Sequence, residues 1–310
     1  MGVLSVSVVI PVYNQAGLVN KAIRAVAQGT VAPLEIIVVD DGSCDDLAGA
    51  LSHIRQEVTV PLAVYEVPHG GPGRAREVGW RRSQGDVVAF TDADAEPDPQ
   101  WIAEALKGFR DETVGAVEGK VVSGGIPRIF THQVKNLTGG RFMTANMFYR
   151  RTVIEEVGGF RSRYREDSDL AFSVLEHDYQ IVFAPDAIVV HPPREERWNF
   201  YFEKANRKRF EALLFRNHPT VAPQYLPRLQ PTELLVIGGE VLCVLGVALG
   251  SWSLAAGLFL LAVGLPKRIS AWLDGRQFNG REYLVVWALT LALVPVEAYY
   301  HWLGIIKPPR

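Results

Sequence analysis

The run from Leu234 to Leu265 constrains this chain more than any other stretch: thirty-two residues with one charged side chain, Glu240. Each half is slightly short for a bilayer crossing, and the whole is far too long for one. Gly250-Ser251 offers a turn near the middle, so the pattern predicts a tight helical hairpin over 234–265. A further apolar stretch, 283–305, contains Pro295 and Glu297 and is predicted to be a third span. The connection between them holds Lys267, Arg268, Arg276 and Arg281, and the tail holds Lys307 and Arg310. This Lys/Arg bias puts the connection in the cytoplasm, on the side of the N-terminal residues, and the tail on the opposite face. Glu240 and Glu297 are costly in lipid and are expected to face protein or water, and Asp274 in the connection joins them in hinting at a polar path. The expected layout is a soluble domain over 1–193, interfacial helices over 194–231 and a transmembrane domain of about three spans over 232–310.

Before that run the chain reads as a soluble α/β protein. "MGVLSVSVVIPVY" has no basic leader and meets Pro11, so it reads as a strand rather than a signal peptide. Val6–Ile10, "EIIVVDDGS" from Glu35, Leu62–Val67 and "DVVAF" from Asp86 are short β-branched or apolar runs. Helical spacing falls between them, at Leu18–Ala27, at Asp45–Ile54 and after the glycine-rich "HGGPG". Strands alternating with helices imply a mostly parallel, Rossmann-like sheet with crossover helices. Ligands of such sheets bind beyond the carboxyl ends of the strands, where "PVYN", "DDGS" and "TDAD" converge on one rim. Further on, a helix is expected at Arg151–Val157, stopped by Gly158, then a helix beginning at Glu166–Asp167, then one or two short strands ending at His191. The region 120–146 has no legible pattern.

"FTDADAEPD" places Asp92, Asp94, Glu96 and Asp98 within seven residues. Carboxylates at i and i+2 beyond a buried strand can share one hard divalent cation, although a solvated acidic turn has the same sequence. Asp40 and Asp41 at a strand tip can accept from a base or a ribose, or cap the next helix. Arg74 and Arg76, beside a glycine-rich turn, can neutralise phosphates or simply face water. Glu166 and Asp167 open a helix, so one can be a general base and the other a cap, with Asp169 structural. A lone histidine is usually structural, but His191 ends a strand near an acidic rim, a position that suits a third metal ligand. The net charge of −2 gives no electrostatic case for nucleic acid. Trp198, Phe200, Tyr201, Phe202 and Phe210 alternate with Arg197, Lys204, Arg207, Lys208 and Arg209 just before the apolar run. They read as interfacial helices on anionic lipid. Cys44 and Cys243 are the only cysteines and form neither a zinc spacing nor a disulfide framework.

"SVVIPVYNQ", "EIIVVDDGS", "GGPGRAREVGWRRSQGDVVAFTDAD" and "GGFRSRYREDSDLA" together resemble the inverting family-two glycosyltransferases of the glycosyltransferase A fold, over about residues 4–200. That resemblance implies that Pro11, Tyr13 and Asp40 or Asp41 hold a nucleoside, and that Arg76 belongs to the donor site. It implies that Asp92 and Asp94 hold Mn2+ or Mg2+ on the donor diphosphate, with His191 similar to a strand-end ligand of some members. Asp167 is then the base of the "ED" motif, with Glu166 beside it. Three departures stand out. Glu77 replaces an asparagine, Ser173 stands where an arginine is common, and Arg194 replaces the glutamine of a "QxxRW"-like segment that supplies Arg197 and Trp198. The last, close to the ED motif, favours a non-processive enzyme.

The expectation is therefore a multi-pass enzyme of the cell membrane with its active domain in the cytoplasm. It moves a sugar from a nucleotide-sugar, expected to be a UDP-sugar, to a lipid or lipid-linked acceptor. Rival readings are a processive polysaccharide synthase, a sugar nucleotidyltransferase and an inactive membrane scaffold. No oligomeric state is implied.

Overall fold

The computed structural model describes residues 4–125, 130–162, 164–226, 231–249, 252–273 and 279–307. The chain forms two compact units, Met1–Gly124 with Gln133–Pro192, and Gly125–His132 with Pro193–Arg310. In chain order the elements as far as the second unit's start are β1 (Val6–Val12), α1 (Ala16–Ala27), β2 (Glu35–Asp40), α2 (Leu47–Glu57), β3 (Leu62–Glu66), α3 (Pro72–Arg82) and β4 (Val87–Phe90). They continue with β5 (Glu96–Pro97), α4 (Trp101–Leu106), β6 (Val114–Ser123), β7 (Thr131–His132), β8 (Met147–Arg150), α5 (Arg151–Val157), α6 (Glu166–Glu176) and β9 (Gln180–His191).

The first unit is built on an eight-stranded sheet in the order β3-β2-β1-β4-β8-β6-β9-β5. The β3-β2-β1-β4 half is parallel throughout, as alternating strands and helices require. Val8, Val9, Ile10, Ile36, Ile37, Val38 and Val87–Phe90 are all sealed from solvent, which is why these runs read as continuously apolar. The sheet then turns mixed: β8 lies antiparallel to both β4 and β6, and β9 returns parallel to β6. β9 is one strand rather than two. Its ladder with β6 skips from Ala184 to Ile188, a bulge around Pro185, whose nitrogen has no proton to give the ladder. Helix α3 lies so close to the sheet that a Cβ on Gly79 would collide with the Val9 side chain. This approach holds Arg76, on the same helix, against the strand tips.

The second unit pairs β7 with β10 (Arg194–Glu195) and continues as α7 (Phe200–Arg207), α8 (Glu211–Asn217), α9 (Ala222–Tyr225), α10 (Pro231–Leu249), α11 (Ser253–Leu273) and α12 (Gly280–Ile306). Helices α10 and α11 form an antiparallel pair whose backbones nearly touch. A Cβ on Gly257 would meet Gly239 O and Cys243 N at 2.7 Å. Small residues at such a seam allow close packing without any aqueous driving force. Helices α10 and α12 are long and apolar enough to cross a membrane, with mean hydropathies of 1.7 over Pro231–Ala248 and 1.5 over Gly280–Ile306. Lys267 and Arg268, expected in a loop, lie inside α11, and Arg281 lies in the first turn of α12. Helix α11 runs on past Pro266 through Lys267 and Arg268 to Leu273. The expected turn at Gly250-Ser251, and Asp274, Arg276 and Arg310, lie outside the described residues.

Candidate functional site

The parallel half of the sheet delivers three strand ends to one edge. Beyond β1, Tyr13 is 43% exposed and its ring stacks on His69 at 4.2 Å between centroids. Pro11 is buried one residue before the end of β1, in register with Val39. At the end of β2, Asp40 Oδ1 accepts from Ser43 N, three residues on, at 2.8 Å and so closes its own turn. Asp41 is buried; its carboxylate accepts from Gly70 N and Gly71 N at 2.8 and 2.9 Å, and His69 Nδ1 lies 3.1 Å from its backbone carbonyl and 2.8 Å from Oδ2. The two aspartates thus divide their work: Asp41 ties the glycine-rich turn to the rim, while Asp40 shapes its own turn. His69 was not singled out from sequence, because a histidine before two glycines reads as loop filler.

Beyond β4 lie Asp92 and Asp94. With His191, at the end of β9, they offer three ligand atoms all within 4.8 Å of one another. His191 Nε2 stands 3.4 Å from Asp94 Oδ1 and 3.6 Å from Asp92 Oδ2, and Nδ1 is 3.0 Å from the Pro192 carbonyl. A proton on Nδ1 donates to that carbonyl and turns the lone pair of Nε2 toward two carboxylates. Nε2 is buried and makes no hydrogen bond. A lone pair and two anions facing one another in a buried pocket repel, and either a proton or a divalent cation relieves that. Burial pulls the His191 pKa down, but Asp92 and Asp94 more than offset this and hold it above its ordinary value. A second nitrogen fixed by a backbone carbonyl is also how metal-bound imidazoles are oriented, so the donor set fits a hard or borderline divalent ion.

Arg76 connects this cluster to the start of α6. Its side chain is 6% exposed, with Nη2 2.9 Å from Asp92 Oδ1 and Nη1 3.0 Å from Glu166 Oε1. Arg76 therefore bridges two carboxylates, while Arg74 lies two residues earlier, in the first turn of α3. Burial raises the Glu166 pKa, Arg76 opposes this, and Asp167 and Asp92 add to it. Asp167 Oδ1 accepts from Ser168 N at 2.7 Å, and the residue is partly exposed. The buried Tyr149 hydroxyl is held well above its ordinary pKa by burial and then by the charges of Asp167 and Glu118, against Arg76. These influences bring Asp167, Arg76 and Asp92 into one neighbourhood.

Two departures from the expected pattern acquire physical roles. Glu77 Oε2 accepts from Trp80 Nε1 at 2.5 Å and Phe160 N at 2.8 Å, and Oε1 from Arg81 Nε at 2.6 Å. An asparagine is one methylene shorter and has a single acceptor oxygen, so it cannot make all three. Ser173 Oγ accepts from Arg161 Nη2 at 2.6 Å and donates to the Asp169 carbonyl at 2.8 Å. The guanidinium beside position 173 thus comes from the preceding loop. Glu118 was also missed: buried on β6, it accepts from Gly140 N, Arg141 N, Phe142 N and Asn136 Nδ2. Arg197 and Trp198 belong to the second unit, where both are exposed, Trp198 by 70%.

The family model for "Glycosyl transferase family 2" matches residues 7–170. Glycosyltransferase AglE of Haloferax volcanii is 32% identical over 207 residues, 61% of this chain and 67% of that protein. The undecaprenyl-phosphate 4-deoxy-4-formamido-L-arabinose transferase of Pseudomonas fluorescens is 33% identical over 195 residues, 58% of this chain and 56% of that one. Such matches span between about half and two thirds of the relative's own length. Among solved structures, the mannosyltransferase of Pyrobaculum calidifontis in complex with GDP-Man and Mn2+ superposes with a TM-score of 0.69 at 22% identity, over 96% of this chain and 87% of that one. That likeness establishes the glycosyltransferase A-like α/β fold.

Proposed function

The chain belongs to glycosyl transferase family 2, and from that premise we propose that it is an inverting, metal-dependent transferase. In this reading it moves a sugar from a nucleotide-sugar, in the first instance a UDP-sugar, to a lipid or lipid-linked acceptor at the cytoplasmic face of a membrane. The observation that carries the reading is the Arg76 bridge, which joins the Asp92–Asp94–His191 cluster to the helix that begins Glu166–Asp167.

The nucleoside rests on the Tyr13–His69 ring pair, with Asp40 and the Asp41-anchored turn beside it. Asp92, Asp94 and His191 would hold Mn2+ or Mg2+. When bound, that ion supplies positive charge to the donor diphosphate. Arg76 fixes the Asp92 carboxylate and keeps Glu166 paired, so that the start of α6 has one orientation. Asp167 accepts the proton of the acceptor hydroxyl as that oxygen attacks the anomeric carbon. The bond from that carbon to the diphosphate oxygen breaks on the opposite side, the nucleoside diphosphate leaves with the bonding electrons, and the configuration inverts. With a phosphate acceptor, already ionised, Asp167 only positions it. Arg197 and Trp198 are proposed to contribute to the acceptor side. The apolar helices of the second unit, together with a relative named for undecaprenyl phosphate, support a lipid-linked acceptor.

The test is transfer from radiolabelled nucleotide-sugars to polyprenyl-phosphate and glycolipid acceptors, with and without Mn2+. Wild type is expected to transfer only with the ion. Asp167→Asn is expected to lose transfer of sugar to a hydroxyl while retaining donor binding. Release of diphosphate from a nucleoside triphosphate, or a fully active Asp167→Asn on a hydroxyl acceptor, would overturn the assignment.

A further inference from the structure

We infer that α12 lies in the plane of the membrane surface, its apolar stripe against an anionic phospholipid leaflet, so that only the α10–α11 hairpin enters the hydrocarbon. This rests on the membrane reading above and refines its topology.

The first observation is an ion triad at the mouth of the hairpin. Arg268 Nη2 lies 3.1 Å from Glu233 Oε1 on α10 and 2.9 Å from Glu297 Oε2 on α12. Glu233 precedes the apolar run and Arg268 follows it, so both mark where the hairpin leaves the hydrocarbon. Glu297 must stand at the same level. It is seventeen residues into α12, about 25 Å from Gly280 along the helix axis. Helix α11 ends at Leu273, about 8 Å past Arg268 on the outer side of that mouth. An α12 that climbed back from the far face to Glu297 would need its start about 33 Å from Leu273, whereas seven Cα steps reach about 25 Å. An α12 that descended from the near face would reach Glu297 only after burying residues 280–296 in the bilayer, far below the Arg268 it contacts. Neither upright geometry yields a span.

The second observation is what α12 packs against. Leu293 joins Phe200, Tyr201 and Ala205 of α7 in one buried cluster, and Tyr300 packs against it. The His301 ring faces Phe215 of α8 at 6.3 Å, and a Cβ on Gly304 would collide with the Arg209 backbone. The C-terminal half of α12 therefore runs along helices that carry Lys204, Arg207, Lys208, Arg209 and Arg216. Cations in that number sit among headgroups, not among acyl chains.

The third observation is the stripe itself. Val286, Thr290, Leu293, Val294, His301 and Gly304 form the buried face. Leu284, Ala288, Ala292, Tyr299, Trp302 and Ile306 form the opposite, exposed one. That exposed face extends over twenty-three residues, about 33 Å from first to last, and offers the leaflet apolar side chains along its whole length.

The experiment uses full-length protein in sealed vesicles of phosphatidylethanolamine and phosphatidylglycerol, with Cys44 and Cys243 replaced by serine. Single cysteines at Arg216 (α8) and Lys307, both exposed, are treated with a membrane-impermeant maleimide. Both are expected to react from the same side, and reaction of Lys307→Cys only from the side opposite Arg216→Cys would overturn the inference. Fluorophores on Leu284→Cys, Ala292→Cys and Trp302→Cys are then quenched with nitroxide lipids of graded depth. One shallow depth at all three sites supports an in-plane helix, and a maximum depth at Ala292→Cys sinks it. Protein that stays out of the vesicle fraction refutes membrane association itself, and sugar transfer can be assayed independently of either result.

Discussion

Asp92 and Glu166 share one guanidinium, that of Arg76, at 2.9 and 3.0 Å. The two carboxylates come from different ends of the first unit, one beyond β4 and one at the start of α6. Removing the bridge leaves two largely buried anions facing each other. Arg76→Ala is expected to destabilise the unit by about 3 kcal/mol, as breaking a buried pair does. Arg76→Lys keeps the charge, but as a single point that cannot fork to both oxygens. It is expected to recover most of the stability measured in urea while remaining impaired in transfer. Equal recovery of both would show that charge alone, not the fork, is what matters.

Residue types at strand ends made much of this site legible in the sequence. β1, β2 and β4 announce themselves as β-branched or apolar runs, and the carboxylates that follow them lie on one edge because the strands are parallel. His191 was legible only as a strand-end histidine near an acidic rim and by resemblance, since nothing in the intervening chain dictates that β9 returns parallel to β6. The antiparallel insertion of β8 was illegible for the same reason: pairing between distant strands leaves no local periodicity. Glu118 in "VGAVEGKVV" reads as an exposed strand residue, and its burial follows from a loop that folds over it later. The run 283–305 has the same composition whether a helix lies along a membrane or through it. What distinguishes the two is tertiary: the Arg268–Glu297 contact and the packing of α12 on α7 and α8.

The metal cluster makes a prediction that does not depend on turnover. Mn2+ is expected to bind the wild-type protein and raise its thermal midpoint, with chelation reversing the gain. Asp94→Asn removes the charge of one of three converging ligands, and His191→Ala removes another ligand outright. Each is expected to weaken Mn2+ binding in calorimetry by roughly tenfold or more, about 1.4 kcal/mol. Unchanged affinity in both variants would mean that the cluster is an ion pair between His191 and its carboxylates and not a metal centre.

Glu77 offers a test of the turn that leads into α6. Through Phe160 N it pins the residue after Gly159, whose φ is +72°, and through Trp80 Nε1 it fixes the indole on α3. Glu77→Asn is expected to cost about 1–3 kcal/mol, the range for leaving buried donors unsatisfied. Trp80 emission should shift to the red as the indole loses its partner. A variant as stable as wild type would indicate that the turn is held by packing alone.

Asp86 ties the beginning of β4 to the chain before β1, accepting from Ser5 N at 2.9 Å and Ser5 Oγ at 2.7 Å. These bonds, the hydroxyl's first, hold its pKa below the usual 3.8, against a small penalty from burial. A depressed carboxylate contributes stability that is present above its unfolded pKa and lost as pH falls through the folded one. Asp86→Asn is therefore expected to be less stable at neutral pH, by under about 1 kcal/mol because the group is exposed. The gap between variant and wild type should close below about pH 4. A gap that stays constant across denaturation curves at pH 3 and pH 7 would assign the effect to side-chain packing instead.

The loop from Asn136 to Phe142 closes over Glu118. Three consecutive backbone N–H groups and the Asn136 amide converge on that carboxylate. The geometry requires left-handed backbone at Gly139, Gly140 and Phe142, with φ of +79°, +80° and +54°. A non-glycine residue in that region costs about 1–3 kcal/mol, so Phe142 keeps it only while its N–H is held. Glu118→Gln retains size but replaces one acceptor oxygen with an amide NH2 that confronts the backbone donors. Glu118→Ala removes both oxygens. Each is expected to destabilise the first unit by about 2–4 kcal/mol, with Ala the worse, and to open the loop to proteolysis at Gly139–Gly140. Loop cleavage in both variants, with donor and Mn2+ binding preserved, would make Glu118 a support for the loop alone. If binding falls in parallel with cleavage, the loop belongs to the wall of the donor site, through Tyr149, whose hydroxyl feels both Glu118 and Asp167.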